Sequence, residues 1–230
     1  MHILLTKSEI PSSLVQRLSV KGHKVSLFPI LIVKRLNIKI VNFKKYTSII
    51  FTSANGVLNL PIIKDIGHLK CFCVGDHTAE VAKQKGFINI YSASGNYNQL
   101  KELIFNLCER DKEKFLYVRG EFISHDLEKD FKYNNYYVES LINYTTEVNK
   151  IIDQKLIYSI QNKEIDAIFV YSKRAADQLL KIILNFKLGD SLKNCVLNCI
   201  SISVVNILKR LPWKKIKIFD SGNEEVSLFI

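Results

Sequence analysis

The segment SIIFTSANGV (Ser48–Val57) has the pattern that decides the fold. An apolar run comes first, a polar residue and a serine follow, and a helix-forming segment begins directly after them. A strand covered on both faces, followed by a turn and a helix, gives this order in proteins built on parallel sheets. A similar segment, AIFVYSKRAA, occupies Ala167–Ala176. The chain therefore contains this strand–turn–helix pattern twice.

A second pair of segments recurs in the same order along the chain. FCVGDHT (Phe72–Thr78) opens a strand–helix–strand unit that ends at Ser94–Asn96, and LNCISIS (Leu197–Ser203) opens another that ends at Ser221–Asn223. Repeats normally mark repeated structural units. Because each copy is much longer than a solenoid repeat, we predict two similar α/β lobes.

Short apolar runs alternate with amphipathic segments along the whole chain, which predicts parallel sheets flanked by helices. The predicted strands are Ile3–Thr6, Val25–Phe28, Ser48–Thr52, Cys71–Val74, Ile88–Tyr91, Phe115–Val118, Tyr136–Thr146, Ala167–Tyr171, Val196–Ile200 and Ile216–Phe219. The predicted helices are Pro11–Val20, Asn55–Leu60, Thr78–Lys85, Gln99–Glu109, Ile123–Phe131, Ile151–Gln161, Ala175–Asn185 and Val204–Arg210.

The boundary between the lobes does not fall at the middle of the chain. The second copy of the repeat has no strand at its start that matches Ile3–Thr6, so we expect the N-terminal strand, helix and strand to complete the C-terminal lobe. This predicts a discontinuous first lobe from residues 1–30 and 147–230 and a second lobe from residues 38–138. The β-forming segments 31–37 and 139–146 are predicted to be a two-stranded connector.

Composition excludes several classes of protein. The 230 residues are 47% apolar and 24% charged, as in ordinary globular proteins. The longest apolar stretch, Val25–Val33, is interrupted by Ser26 and Pro29 and is too short to span a bilayer. No signal peptide is visible, so we expect a cytoplasmic protein without a membrane segment. The five cysteines are odd in number and lie in apolar runs, which indicates reduced core thiols.

The formal net charge of +11 has two interpretations. A basic surface is typical of nucleic-acid-binding proteins, but the lysines are scattered, and no arginine-rich arm, zinc knuckle or RNA-binding aromatic motif is found. We therefore expect no nucleic-acid partner. The other interpretation is a polyanionic small substrate, because a cleft lined by one sign of charge attracts its counter-ion.

Polar turns follow the predicted strands, where α/β sheets bind ligands. These turns are Thr52–Asn55, Gly75–Thr78, Ser94–Asn96, Arg119–Gly120, Ser172–Arg174 and Ser201–Ser203. Helix capping accounts for any one of them, whereas six in two matched lobes favour a shared cleft. No zinc ligand set, phosphate loop, dinucleotide fingerprint or nucleophile elbow is found. Tyr144 ends a predicted β segment, and either proton donation to a leaving group or aromatic packing between the lobes accounts for it.

Short motifs along nearly the whole chain, taken in order, resemble those of the uroporphyrinogen-III synthase family. The matching pieces are ILLTK (3–7), FTSANGV (51–57), VGDHTA (74–79), Gly86-Phe87, Ser94–Asn96 with Leu100, LYVRG (116–120), INYTT (142–146), FVYS (169–172) and ISIS (200–203). Each motif is short and degenerate, so the ordered set carries the resemblance.

The resemblance implies two α/β lobes joined by a two-stranded β ladder, with the first lobe formed by both ends of the chain. It implies that linear hydroxymethylbilane, a polycarboxylate, is cyclised with loss of water through an azafulvene and a spiro intermediate, and that ring D recloses inverted. It implies no cofactor and no metal. We also expect a monomer that makes transient contact with hydroxymethylbilane synthase.

The resemblance also implies a set of site residues. The cleft tyrosine of the family matches Tyr144, which would assist departure of the hydroxyl group. Substrate binding in the family relies on backbone N–H groups of the post-strand turns, and Lys7 is expected to pair with a substrate carboxylate. The matching turn residues are Ser53, Gly75, Thr78, Arg119, Gly120, Ser172 and Ser203.

Two positions depart from the family pattern. Ser201-Ile202-Ser203-Val204 stands where relatives usually have a glycine followed by threonine, and Lys173-Arg174 replaces a smaller, less charged pair. Because serine lacks the tolerance of glycine for positive φ, we expect the N–H contacts of this turn to be impaired. This departure keeps one alternative open, a non-catalytic two-lobed binding protein for an anionic metabolite.

Overall fold

The computed structural model describes residues 1–38, 41–61, 66–93, 95–220 and 222–229. Its strands are β1 (His2–Leu5), β2 (Lys24–Leu27), β3 (Leu31–Arg35), β4 (Ser48–Phe51), β5 (Lys70–Cys73), β6 (Asn89–Ser92), β7 (Lys114–Gly120), β8 (Tyr137–Val148), β9 (Ala167–Val170), β10 (Val196–Cys199) and β11 (Lys215–Ile218). Its helices are α1 (Ser12–Val20), α2 (Ala54–Leu58), α3 (Asp76–Gln84), α4 (Tyr97–Leu107), α5 (Leu127–Tyr133), α6 (Gln154–Gln161), α7 (Lys173–Asn185), α8 (Ile202–Leu208) and α9 (Glu224–Phe229). Phe43–Lys45 and Gly189–Leu192 form short 3-10 helices. Ser94 and Ser221, two landmarks of the repeat, lie outside the described residues.

The chain divides into two compact units. Unit 1 contains Met1–Ile32 and Glu147–Ile230, and unit 2 contains Val33–Thr146.

Unit 1 is built on a five-stranded sheet with the strand order β11-β10-β9-β1-β2. All of its strand pairs are parallel, and β1, from the start of the chain, pairs with β9, from the C-terminal half. Alternate residues of a strand point to opposite sides of the sheet. Helices cover both faces, and each face packs its own apolar cluster. Leu4 and Ile168 pack in one apolar cluster, with residues of α7 and α8. Ile3 and Phe169 pack in another cluster, with residues of α1.

The sheet that contains the strands of unit 2 has the order β3-β8-β7-β4-β5-β6. The pairs β8–β7, β7–β4, β4–β5 and β5–β6 are parallel. Phe51 packs in a cluster on one face with Val57 of α2, whereas Ile50 packs in a cluster on the other face with Leu100 of α4. Every residue of β4 is buried, as expected of a central strand in a parallel sheet.

The predicted α/β class with parallel sheets flanked by helices is confirmed, and most predicted strands agree with the observed ones to within one or two residues. The predicted start of the helix Ile123–Phe131 is wrong. Helix α5 begins at Leu127 because the side chain of Asp126 accepts a hydrogen bond from the backbone N–H of Lys129 (3.0 Å) and caps the helix. The C-terminal helix α9 was not predicted, and strand β8 continues past Tyr144 to Val148.

The cysteines and the helices bear on two expectations from composition. All five cysteines are free and buried, which confirms that they are core thiols. Among the described residues, no helix is long and apolar enough to cross a membrane.

Candidate functional site

The parallel strands of unit 2 bring its polar turns to one edge of the sheet. Strands β4, β5 and β7 are neighbours that run in the same direction, so their carboxyl ends lie side by side. Ser53 follows β4, Gly75 follows β5, and Gly120 is the last residue of β7. This is the edge at which α/β sheets bind ligands.

Tyr144 packs directly on the backbone of Gly120 at this edge. The two residues are paired across β7 and β8, where the register shifts by one residue. A Cβ atom on Gly120 would lie 2.7 Å from Cε2 and Cζ of Tyr144 and 3.0 Å from its hydroxyl oxygen. Since real Cβ atoms do not approach other atoms so closely, only glycine allows the ring to occupy this position.

The surroundings of Tyr144 keep its hydroxyl protonated. Burial raises the pKa of Tyr144 above the ordinary tyrosine value, while hydrogen bonds with the Ser53 side chain and the Gly120 backbone partly lower it. The phenol is therefore neutral at physiological pH, and donors already face the oxygen that would become negative if the proton left. This arrangement suits a general acid.

A second pair of hydroxyl groups lies beside this site. Thr52 and Tyr117 form a hydrogen bond between Oγ1 and the phenol oxygen (3.1 Å). The Tyr117 side chain is buried, and burial raises its pKa, which the charge of Arg119 partly opposes. Asn143 is fully buried next to Tyr144 in sequence, and its Nδ2 donates to the carbonyl oxygen of Gly56 in α2 (2.7 Å). This bond fixes α2, and therefore the turn at Ser53, to strand β8.

The remaining predicted residues of unit 2 lie at the start of α3 and at the end of β7. Gly75 precedes α3 in an extended conformation, with φ −172° and ψ 173°. A Cβ atom there would lie 3.2 Å from Cα of Gly95, so glycine lets two neighbouring turns approach each other. Thr78 is buried in the first turn of α3. Arg119 donates from Nη1 to the carbonyl oxygen of Gly120 (3.0 Å), close to the ring of Tyr144.

The corresponding edge of unit 1 carries Ser172 and Ser203. The Ser172 hydroxyl accepts from the backbone N–H of Ala175 (3.1 Å) and caps α7, as Ser53 caps α2 by accepting from Asn55 (3.2 Å). Ser203 lies in the first turn of α8, and its hydroxyl is 2.8 Å from the hydroxyl of Ser201.

The expectation that Ser201 needs positive φ is wrong. Its backbone is extended, with φ −164° and ψ 163°, a conformation that any residue adopts. The turn therefore presents the N–H groups at the start of α8 without strain. The other pair that departs from the family pattern, Lys173 and Arg174, lies in the first turn of α7.

Lys7 follows β1 at the same edge of unit 1. Its ammonium lies 5.6 Å from the ring centroid of Tyr171, the residue directly after β9. Burial lowers the pKa of Lys7, and the charge of Glu224 opposes this shift. Glu224 is itself buried, and burial raises the pKa of its carboxyl.

The structure brings the predicted site residues together in two sets. Ser53, Gly75, Thr78, Arg119, Gly120 and Tyr144 lie at the edge of the unit 2 sheet, and Lys7, Ser172 and Ser203 lie at the edge of the unit 1 sheet.

Sequence reasoning missed Tyr117, Asn143, Tyr171 and Glu224. Tyr171 had a signal, because it precedes Ser172 in the repeat as Thr52 precedes Ser53. Within the described part of the chain, no group of three or more His, Cys, Asp or Glu residues could hold a metal ion.

Comparisons with known proteins agree with these observations. The model of the family HEM4, uroporphyrinogen-III synthase HemD, matches residues 12–221. The fold is similar to that of uroporphyrinogen-III synthetase from Helicobacter pylori 26695, with 16% identity, a TM-score of 0.64, and coverage of 99% of this chain and 96% of that one. It is also similar to a mutant uroporphyrinogen III synthase from the extremely thermophilic bacterium Thermus thermophilus, with 12% identity, a TM-score of 0.52, and coverage of 100% and 97%. No match was found among the curated proteins.

The two structural likenesses are too low in identity to establish more than the fold. The family match is different in kind, because it extends over most of the chain; of the site residues described above, it leaves out only Lys7 and Glu224. The chain therefore belongs to the uroporphyrinogen-III synthase family, which consists of cyclising lyases of haem biosynthesis that act on a tetrapyrrole substrate.

Proposed function

We propose that this chain cyclises linear hydroxymethylbilane to uroporphyrinogen III, and that Tyr144 is the proton donor for the loss of water. The observation that carries the proposal is the neutral phenol of Tyr144, seated on Gly120 and facing the hydroxyl of Ser53. A neutral, positioned phenol can act as a general acid where no stronger acid is closer.

The first step breaks the carbon–oxygen bond of the hydroxymethyl group. The proton of Tyr144 passes to the leaving oxygen, which departs as water with the bonding electron pair. The nitrogen of the same pyrrole supplies electrons to the carbon, and an azafulvene cation forms beside the Tyr144 phenolate. The side chain of Ser53 and the backbone of Gly120 stabilise the negative charge on the phenolate oxygen.

The following steps form and rearrange carbon–carbon bonds. The electrophilic carbon is attacked by the substituted α-carbon of ring D to give a spiro intermediate. The bond between that ring carbon and its original methylene bridge then breaks, which leaves an azafulvene on the neighbouring ring. The unsubstituted α-carbon of ring D bonds to this methylene, so ring D recloses in the inverted orientation. The ring carbon that forms the final bond then loses a proton to the Tyr144 phenolate. The phenol is restored, and the net change is the loss of one water molecule.

In this proposal, the chain recognises the substrate through the carboxylates that the substrate carries. Hydroxymethylbilane carries several of them, and the N–H groups at the starts of α3 and α7 are suited to bind anions. The turns at Ser53 and Ser203 offer further N–H groups, and Lys7 and Arg119 add positive charge at the sheet edges. The net charge of +11 favours the approach of such a substrate.

Analysis of the product isomers tests the proposal. Freshly prepared hydroxymethylbilane is incubated with the purified chain, and the cyclised product is oxidised and separated into type I and type III isomers. We expect type III to dominate. If only the type I product of spontaneous cyclisation accumulates while the chain binds the tetrapyrrole tightly, the chain is a binding protein for an anionic metabolite and the proposal is wrong.

The role of Tyr144 is tested by Tyr144→Phe, which removes the proton and leaves the ring. We expect kcat to fall by about tenfold to a hundredfold with little change in KM, because general acids contribute to the chemical step. The matched control is Tyr133→Phe, a change at a tyrosine of α5 that is 87% exposed. Equal turnover of the two variants would remove Tyr144 from the mechanism.

Several expectations from the sequence stay predictions. These are the monomeric state, the transient contact with hydroxymethylbilane synthase, the cytoplasmic location and the residue boundaries of the lobes and their connector.

A further inference from the structure

The connection between β7 and α5 borders the carboxyl edge of the unit 2 sheet. This edge loop, residues 121–126, follows Gly120 directly and ends at the residue that caps α5. Two large apolar side chains stand next to each other in it, and Phe122 is 53% exposed and Ile123 is 41% exposed. Apolar patches rimmed by polar residues mark surfaces that a partner or a ligand covers.

The start of the edge loop is bound to the residue proposed as the acid. The backbone N–H of Glu121 donates to the carbonyl oxygen of Tyr144 (2.9 Å), and the hydroxyl of Thr145 donates to the Glu121 carboxylate (2.5 Å). Phe122 therefore stands one residue beyond a backbone contact with Tyr144. The pairing of β7 with β8 thus fixes the place at which the loop leaves the sheet.

The far end of the edge loop is held by two stacked rings. The imidazole of His125 lies on the ring of Tyr97, with the centroids 4.5 Å apart and the planes inclined by 10°. Tyr97 begins α4, and its phenol donates to Oδ2 of Asp130 in α5 (2.8 Å). The same oxygen accepts from Lys101 (2.7 Å). Because both ends are held, the exposed apolar side chains lie on a loop whose path is fixed.

The matching connection of unit 1 has a different character. In the repeat, β1 takes the place of β7, because each pairs with the strand that precedes a capping serine. The chain continues after β1 through Lys7, Ser8, Glu9 and Ile10, and all four are partly buried. Ile10 packs against the apolar cluster of β1 and α1. The exposed apolar pair therefore belongs to the unit that carries Tyr144.

The proposed reaction has a use for an apolar cover at this place. Loss of the hydroxyl group leaves an azafulvene cation. A water molecule that reaches its exocyclic carbon would bond to it, lose a proton to the Tyr144 phenolate and re-form the hydroxymethyl group, which undoes the step. The faces of a pyrrole ring are apolar, so an exposed phenyl ring is stabilised by packing on one of them and displaces water there.

We propose that the edge loop binds a ring of the substrate, and that Phe122 packs on the pyrrole that carries the leaving hydroxyl group and keeps water from the azafulvene carbon. Ile123 extends the same apolar surface. The inference rests on the proposed function, because it assigns a place to one ring of the same substrate. The helix starts bind carboxylates, whereas the edge loop contacts the ring itself.

The first test is Phe122→Ala, which removes the phenyl ring and leaves both anchors of the loop. We expect KM for hydroxymethylbilane to rise by about fivefold to tenfold, because an apolar contact with the substrate is lost. The matched control is Tyr133→Ala, since Tyr133 is an exposed aromatic residue at the last position of α5. This control should keep the parental KM. Equal KM values in the two variants would overturn the inference.

A conservative variant separates the apolar contact from a disturbance of the loop. Phe122→Leu keeps an apolar side chain at the same place, and we expect its KM to stay within about threefold of the parental value. The melting temperatures of both Phe122 variants should stay close to that of the parent, because the side chain is exposed. If Phe122→Leu raises KM as far as Phe122→Ala does, Phe122 does not act through apolar contact and the inference is wrong.

Isotope exchange tests the exclusion of water. The reaction is run in water enriched in a heavy oxygen isotope and stopped at half conversion, and the label in the remaining hydroxymethylbilane is compared with that in an enzyme-free sample. Water that reaches the azafulvene carries the label into the re-formed hydroxymethyl group. We expect severalfold more label with Phe122→Ala than with the parent or with Tyr133→Ala. A parental level of label in Phe122→Ala would overturn the shielding role.

The parent chain in the same assays distinguishes the two possible failures. If the parent forms no type III isomer, the proposed function falls and this inference falls with it. If the parent forms the type III isomer and Phe122→Ala matches Tyr133→Ala in KM and in label, the inference alone falls.

Discussion

The carboxyl edges of the two sheets share a backbone framework but differ in the side chains placed on it. Ser53 and Ser172 each cap the helix that follows a fully buried strand. Gly75 and Ser201 each precede the next helix along the sheet in the same extended conformation. On this common framework, unit 2 carries Tyr144 packed on a glycine, whereas unit 1 carries the partly buried Lys7 and the buried Glu224.

The comparison separates the backbone features that both units share from the side chains that only one unit carries. N–H groups at helix starts occur in both units and suit the many similar carboxylates of one substrate. The phenol of Tyr144, packed on Gly120, occurs in unit 2, and the buried carboxyl of Glu224 occurs in unit 1. Under the proposed function, such turns would bind carboxylates of the substrate, and Tyr144 of unit 2 would donate the proton.

The largest expected effect comes from Gly120→Ala, which removes the feature found only in unit 2. The new Cβ would lie 2.7 Å from the Tyr144 ring, so the ring must move. We expect kcat to fall by about a hundredfold, because a displacement of about 1 Å at a reacting group costs that much. Steady-state kinetics with freshly made hydroxymethylbilane measures the change.

Gly189→Ala is the matched control for Gly120→Ala. A Cβ at Gly189, in a 3-10 helix of unit 1, meets no atom within 4 Å. We expect this variant to retain the parental kcat. A similar kcat in both variants would show that the position of the Tyr144 ring does not matter for turnover. The packing of Tyr144 on Gly120 would then not distinguish unit 2 as the catalytic unit.

A smaller effect is expected when the two matched serines are changed. Ser53→Ala and Ser172→Ala each remove a helix cap, so each should lower the free energy of unfolding by about 1 kcal/mol. Only Ser53 also faces Tyr144, and we expect kcat to fall by about tenfold in Ser53→Ala alone. Denaturant unfolding and kinetics on both variants measure the two quantities separately. Equal losses of kcat would mean that Ser53 acts only as a cap.

Much of the fold could be predicted from the sequence because the signals were local. The apolar runs at Ile49 and Ile168 predict buried strands in any context, and these segments are strands β4 and β9. Helix starts were less predictable where a charged cap lies inside an amphipathic segment. Asp126 and Asp153 each begin a helix by binding a backbone N–H, and periodicity alone places those starts too early.

The site was predictable only as far as the motifs reached. The motif INYTT predicts Tyr144 as a site residue. The packing of its ring on Gly120 depends on the register shift between β7 and β8, which no local sequence pattern encodes. Glu224 could not be found, because an acidic residue near the end of a chain is normally exposed. Its burial arises from packing at the end of the unit 1 sheet, which brings together residues far apart in sequence.

The smallest effect is expected from Ser201→Gly, which gives unit 1 the residue found at the matching turn of unit 2. The Ser201 backbone is already extended, so glycine relieves no strain and only adds conformational freedom to the unfolded chain. We expect the free energy of unfolding to fall by less than about 1 kcal/mol and kcat/KM to stay within about twofold. The reciprocal change, Gly75→Ser, should lower the free energy of unfolding further than Ser201→Gly does. The reason is that its Cβ would lie 3.2 Å from Cα of Gly95. If Ser201→Gly instead raised kcat/KM severalfold, the serine would restrict the turn, and the two edges would not share one backbone framework.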